Sequence, residues 1–255
     1  MAIGVTEAVA EVADTSNATS YAFGAFTPTA NSFLVVILAA LSTVIDNGVS
    51  GGSLVWTRQY SLITTNVIAI YTAPVGGSPG STTITFDCTG DAAAGCSMTC
   101  HQFTGQNVGN EVSQVASSTV GAGGTPTLVF GTALNTSNGY CAQLGNSDNP
   151  ANVVHPASWT ESADTGFNSP TTGLEAAFRA GGESGTTITW GGTTVSAART
   201  VGIEVNAVGI GGGQPAIKRV GGVQYAASPV SRGSRMWRKA TSGLLVPKRP
   251  ALVWV

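Results

Sequence analysis

The sequence predicts an all-β protein: an antiparallel two-sheet sandwich followed by an extended basic C-terminal arm. Three observations carry that expectation. From about residue 19 to 207, short runs rich in β-branched and aromatic residues alternate with clusters of Gly, Asn, Asp, Ser and Pro, which is the pattern of strands punctuated by turns. Amphipathic helical periodicity is almost missing: residues 5–13 could make a helical turn or two, and little else could. Charge is divided along the chain. Residues 1–215 hold thirteen acidic and three basic side chains, a net −10, whereas 216–255 hold eight basic and no acidic ones, a net +8. Such asymmetry marks a body with an interaction tail.

Strands are expected at 19–25, 32–42, 53–62, 66–72, 82–88, 95–103, 126–133, 139–144, 174–179, 186–191 and 200–206. The run FLVVILAAL at 33–41 is apolar throughout but far shorter than the ~20 residues of a bilayer-spanning helix, so it reads as a buried strand and no membrane association is expected. In 82–88, Ile84, Phe86 and Cys88 fall on one face and Thr83, Thr85 and Asp87 on the other. In 95–103, Cys96, Met98 and Cys100 share a face opposite Ser97, Thr99 and His101. Many short strands at this spacing argue for a sandwich, jelly roll or barrel, and the two-sheet sandwich is the reading adopted. It should occupy residues 1–208. GIGGGQP at 209–215, with four glycines and a proline, reads as a flexible hinge. Residues 216–255 form the arm.

Composition sets outer limits. Charged residues make up 9% of the 255, against roughly 25% in average soluble domains, so Gly, Ser and Thr must fill the exposed positions. Residues 1–16 carry Glu7, Glu11 and Asp14 without a basic or apolar segment, and no secretion signal is expected. Four cysteines are too few to build a disulfide miniprotein. Cys88 and Cys96 could flank a hairpin loop and form a bridge.

Candidate catalytic motifs fare poorly. GVSGG at 48–52 and GGSPG at 76–80 match the spacing of a hydrolase nucleophile elbow, but the elbow needs a strand–Ser–helix setting and a backbone N–H after the serine. Pro79 has no N–H, and GVSGG leads into a strand. Both read as turns. Of the two histidines, His101 lies on the polar face of a predicted strand and His155 in a Pro- and Asn-rich loop, so both are expected at the surface. Cys96 and Cys100 lie about 13 Å apart on an extended strand, too far to share one tetrahedral zinc, and read as small buried hydrophobes. The carboxylate groups Asp87, Asp91 and Glu111, or Asp164, Glu175 and Glu183, could converge as an acid/base pair or oxygen-ligand site. Their spacing matches no calcium loop, and they read as solvated surface acids. Asn17 and Asn135 begin glycosylation sequons, which carry no meaning without secretion. No catalytic residue, metal or cofactor is assigned.

The arm is the candidate partner-binding segment. It carries Lys218, Arg219, Arg232, Arg235, Arg238, Lys239, Lys248 and Arg249 together with Tyr225, Trp237 and Trp254. Basic charge with large apolar groups in a Gly- and Pro-containing segment suits ordering by a partner. Nucleic acid would fit the charge and the stacking aromatics. An acidic protein surface fits the charge and the apolar anchors together, and the terminal ALVWV could add as a strand to an exposed sheet edge.

The progression from ATSYAFGAFTPTANSFLVVILAAL through SLVWTRQY, NVIAIYTAPV and STTITFDCTG to TTITWGGTTVSAARTVGIEVNA, over roughly 17–207, resembles a family of jelly-roll-like modules in tailed-bacteriophage structural proteins and bacterial surface proteins. IKRVGGVQYAASPVSRGSRMW at 217–237 is similar to a short ending of phage-encoded virion proteins. The resemblance implies a jelly-roll-like sandwich and a non-enzymatic virion protein assembled in the bacterial cytoplasm, of the capsid decoration or cement type. It further implies docking on the major capsid protein or another virion protein, and homo-oligomers such as trimers. The alternative is a carbohydrate- or host-binding module of a tail, fibre or head spike, with Trp159 or Phe167 exposed as a sugar platform. A hydrolase relying on His101 or His155 is the third reading.

Overall fold

The computed structural model describes residues 2–41, 46–63, 66–145, 153–168, 172–194 and 196–209, and the strand backbone of 218–220 and 223–225. Among these residues the chain is all β. The first eight strands are β1 (Gly4–Ala18), β2 (Ser20–Ala22), β3 (Phe33–Leu41), β4 (Gly48–Ser50), β5 (Thr57–Ile63), β6 (Asn66–Pro74), β7 (Thr85–Asp87) and β8 (Ala93–Thr104). They are followed by β9 (Val112–Val120), β10 (Thr127–Val129), β11 (Gly139–Gly145), β12 (Val153–Val154), β13 (Thr160–Asn168), β14 (Thr172–Ala180), β15 (Thr187–Thr189), β16 (Gly191–Gly192) and β17 (Ala198–Val205).

Pairing of these strands repeats itself. The first large sheet has the order β1-β8-β3-β6-β5, with β2-β7-β4 as a smaller layer. Read from its other edge, the second large sheet is β9-β17-β11-β14-β13. If β15 and β16 are one seventh strand interrupted at Trp190, both halves have the same order: first, eighth, third, sixth, fifth. The small layer repeats as well, as β10-β15 and β12-β16. All named pairs are antiparallel. The order 1-8-3-6 beside 2-7-4 is that of a jelly roll, two Greek keys wound into a sandwich. The protein body is therefore two jelly-roll modules in tandem.

Details confirm the equivalence. The Phe26 N–H donates to the Thr82 carbonyl at 3.0 Å, and the Phe130 N–H to that of Thr186 at 2.8 Å. These acceptors open the segments TTITF at 82–86 and TTITW at 186–190. Each fifth strand carries a bulge, after Arg58 in β5 and after Glu161 in β13.

The two large sheets pack on each other. In β3, Leu34, Val36, Leu38 and Ala40 enter the first module's own core with Phe86, Met98 and Cys100. The intervening Val35 and Ile37 join Phe103, Cys141, Val201, Ile203 and Val205 in an interior shared by both sheets. The opposite face of the second sheet places Tyr140, Ala142 and Leu144 against Leu128, Phe130, Ile188 and Trp190. Burying such a Leu or Ile is worth about 1.5–3 kcal/mol, and every residue of β3 up to Ala40 is buried. Gly139 marks a close approach of the two sheets: a Cβ there would lie 2.7 Å from the Phe103 ring.

Several expectations are corrected. Residues 5–13 are not helical but lie in β1, paired to β8 from Gly4 opposite Thr104 to Ala18 opposite Ala93. VTEAVAEVA has a helix-like spacing because β1 is an irregular edge strand with three register shifts, which break strict alternation. His101 is fully buried. The polar face of β8 is covered by the second module, so Ser97, Thr99 and His101 line the shared interior and are all fully buried. His101 Nε2 lies 2.8 Å from Ser162 Oγ on β13, and its ring packs against Phe178 with centroids 5.1 Å apart. Burial lowers its pKa to about 3. All four cysteines are free and buried, so Cys88 and Cys96 are not bridged.

The chain divides into two compact units, Met1–Ile210 and Gly211–Val255. In the second, β18 (Lys218–Val220) pairs with β19 (Val223–Tyr225), Lys218 opposite Tyr225.

Two outcomes are expected. Gly139→Val should lower unfolding stability by about 1–3 kcal/mol through overpacking of the shared interior, read as a shift of the urea midpoint. His101 stays neutral when folded but takes up a proton when unfolded below its ordinary pKa of 6.5. Its contribution is thus complete above pH 6.5 and lost as pH falls towards 3. His101→Gln should flatten the stability profile in that window, measured by denaturation at stepped pH.

Candidate functional site

A strand buried on both faces has no place for an unpaired charge, so a carboxylate in such a strand is informative. Among the described residues two fit this description, and their surroundings differ. Glu204 on β17 is 1% exposed and fully engaged. It accepts from Gln114 Nε2 at 2.7 Å, the Asn135 N–H at 2.7 Å and Asn138 Nδ2 at 2.9 Å. Glu175 on β14 is also 1% exposed, and neither of its carboxylate oxygens has a hydrogen-bond partner.

Glu175 lies on the face of the second large sheet that carries its cross-strand neighbour Leu144 into the module's own core, opposite to Leu174 and Ala176, which pack towards β3 with Ala39 and Ala163. Asp164 sits across from it on β13, and Glu161 lies across from Ala177. The bulge between Glu161 and Ala163 turns Ser162 inward to His101 and leaves Glu161 outside. His155 follows β12 directly, and its Nδ1 is 3.9 Å from Glu161 Oε2. One ligand atom each of His155, Glu161 and Glu175 lies within 4.8 Å of the others. Burial, and then the charges of Glu161, Asp164 and Glu11, push the Glu175 pKa up to about 9. One imidazole and two carboxylates on three adjacent segments can hold a proton or a divalent cation.

Sequence reading had paired Glu175 with Asp164 and Glu183 as solvated acids. Glu175 is instead buried, because its face of β14 turns towards the second module's own core. Glu183 belongs elsewhere, engaged by Arg179 Nη1 and by Trp159 Nε1 at 2.7 Å. Trp159, expected as an exposed sugar platform, is 5% exposed and packs in the second module's core, its ring 5.9 Å from that of Tyr140. The side chain of Phe167 lies outside the described residues. His155 is partly exposed, as expected of a loop residue. One local signal pointed to Glu175: it interrupts an apolar stretch, LEAAF at 174–178, of a predicted strand.

The glycine-serine motifs meet in one cleft of about 620 Å³, lined by Gly52, Ser53, Gly76, Ser78, Pro79 and Thr83 among others, with no titratable side chain in its walls. Gly51 turns with φ +126°, and a Cβ there would lie 2.1 Å from the Thr83 carbonyl oxygen, so GVSGG is a turn built on glycine. His101 and Ser162 are a Ser–His pair, but both are buried and no partner holds His101 Nδ1, so the acid of a triad is missing. Of the arm residues, Lys218, Arg219 and Tyr225 fall on the β18–β19 hairpin. Arg232, Arg235, Trp237, Arg238, Lys239, Lys248, Arg249 and Trp254 lie outside the described residues.

No protein family, curated protein or solved structure matches the chain.

Titration of Glu175 has a definite sign. Between pH 4.5 and about 9 the folded protein keeps the Glu175 proton while the unfolded chain has lost it, so stability falls as pH rises through that window. Glu175→Gln should remove this fall, read by chemical denaturation in EDTA at pH 5, 7 and 9.

Proposed function

We propose that the chain is a non-enzymatic structural protein of a phage virion, of the capsid decoration or cement type, that docks through its basic arm. The division of charge carries this reading: a body of net −10 joined through GIGGGQP to a segment of net +8. Charge complementarity would orient the arm on an acidic surface of the major capsid protein or another virion protein. Trp237 and Trp254 are the aromatic type that anchors interfaces, and repeated sites on a lattice would multiply modest affinity. Trimers or other homo-oligomers around symmetry axes would fit such a lattice. At ~3.3 Å per residue, the thirty residues that follow the β18–β19 hairpin could, if extended, reach on the order of 100 Å.

Features of the body are compatible with a binding or scaffolding role. Two clefts among the described residues, the one beside Gly52 and another beside Asn138 and Gly181, have no acid, base or nucleophilic cysteine in their walls. Jelly rolls serve both capsids and lectins. The carbohydrate-binding alternative has lost Trp159 as a platform, and would rest on the hydroxyl-lined cleft beside Gly52.

The test is density-gradient sedimentation with cognate particles. The full chain should co-migrate with them. A 1–215 truncation, and a full chain with Arg232, Arg235, Arg238 and Lys239 all changed to Glu, should remain at the top of the gradient. Co-migration of all three would make the sandwich the interface. Co-migration of none would overturn the virion reading.

A further inference from the structure

Duplication allows one module to be read against the other. The bulges align Arg58 with Glu161, and the ladders then align Tyr71 with Ala177, Ala69 with Glu175 and Ser61 with Asp164. In the first module, the corresponding place beside the fourth strand is a closed network. Asp46, 7% exposed, accepts from Ser61 Oγ at 2.6 Å and from the Tyr71 hydroxyl. Arg58 Nε lies 3.5 Å from the Asp46 carboxylate and donates to Tyr71 at 2.9 Å, and Arg58 Nη2 donates to the Asp46 carbonyl at 2.8 Å. One buried negative charge there meets one positive charge and two hydroxyl donors.

The second module differs at each position that the two ladders align, while the segment before β12, where a counterpart of Asp46 would lie, is outside the described residues. The guanidinium position holds Glu161, the small Ala69 position holds Glu175, and the Ser61 position holds Asp164. Arg179, the basic residue on the same strand as Glu175, is committed to Glu183. Among the described residues this leaves three carboxylates and one imidazole, with the buried Glu175 carboxylate unpartnered and directed at His155 and Glu161. A buried carboxylate left in this way is strongly unfavourable unless a cation or proton accompanies it.

We propose that His155, Glu161 and Glu175 bind a divalent transition-metal ion, with Zn²⁺ the preferred one. The ion would occupy the place filled by Arg58 in the first module and tie the segment after β12 to the β13–β14 hairpin. Donor chemistry favours a transition metal: the imidazole and two carboxylates lie within zinc's nitrogen and oxygen donor range, whereas Ca²⁺ and Mg²⁺ take oxygen ligands. Size is compatible. With bonds of 2.0–2.2 Å, tetrahedral ligand atoms lie about 3.4 Å apart. His155 and Glu161 side chains are 32% and 43% exposed and can rotate to close the remaining distance without backbone movement. The inference concerns the second module alone and holds whether or not the arm docks on a particle.

Calorimetric titration of the untagged full chain, stripped with EDTA and exchanged into metal-free buffer, tests it. ZnCl2 should bind at one site per chain that survives competition by excess CaCl2 and MgCl2, and should raise the unfolding temperature. Glu175→Gln should weaken that site at least tenfold. His155→Ala changes a partly exposed residue, so it should weaken zinc to a similar degree while leaving the metal-free unfolding temperature close to wild type. Equal zinc affinity in wild type and His155→Ala, or no saturable binding below 1 mM ZnCl2, would overturn the site. Tighter binding of CaCl2 or MnCl2 would overturn the choice of ion.

Discussion

The packing of two large sheets face to face is the constraint on which the rest of the body depends. A jelly roll standing alone has one inner core and two outer faces open to water. Here the larger sheet of each module is covered on both sides, by its own small layer and by the other module. This explains FLVVILAAL. Antiparallel strands usually alternate apolar and polar residues because one face is wet. In β3 both alternating sets are apolar, one for each core. Some polar residues of the shared interior bond across it, while Thr99 Oγ1, His101 Nδ1 and Gln143 Oε1 are buried without a hydrogen-bond partner. Ser97 Oγ donates to Glu11 at 2.8 Å, and Thr165 donates to the same carboxylate from the other module.

Covering both faces makes the sheets intolerant of stray charge, and the two modules have met this differently. The first neutralises Asp46 with Arg58 and hydroxyl donors. The second satisfies Glu204 with three N–H donors from β9 and the loop before β11, yet leaves Glu175 without any. Duplication supplies the scaffold and the bulge; side-chain exchange at equivalent positions supplies the difference. The same scaffold can therefore keep a closed ion network in one copy and an open ligand set in the other.

Electrostatics separates the body from the arm in another sense. At half-buried positions, Asp14 and Asp87 accept from the hydroxyls and then the backbone N–H groups of Ser16 and Thr89, which hold their pKa low and keep them negative at neutral pH. Fields between exposed charges decay over about 8 Å at physiological salt. A basic segment can therefore act on an acidic surface only at close range, where its apolar side chains also come into contact.

What the sequence by itself determined was local: the all-β class, most strand positions, the paired turns at Gly51 and Gly76, and the split of charge. These follow from residue type and period, and need only neighbours in the chain. The alternation Ile84, Phe86, Cys88 was legible, and all three are buried. Even the duplication left a trace, TTITF at 82–86 and TTITW at 186–190, although the rest of the two modules has diverged beyond such matching. Tertiary structure alone decided which faces are covered. His101, on a face that reads as polar, is buried because a second sheet lies over it, and β1, with helix-like spacing, is a strand because β8 offers it an edge. His155, Glu161 and Glu175 meet only because a bulge in β13 and the return of β12 bring three separate segments together. Periodicity describes one strand at a time and carries no information on what packs against it.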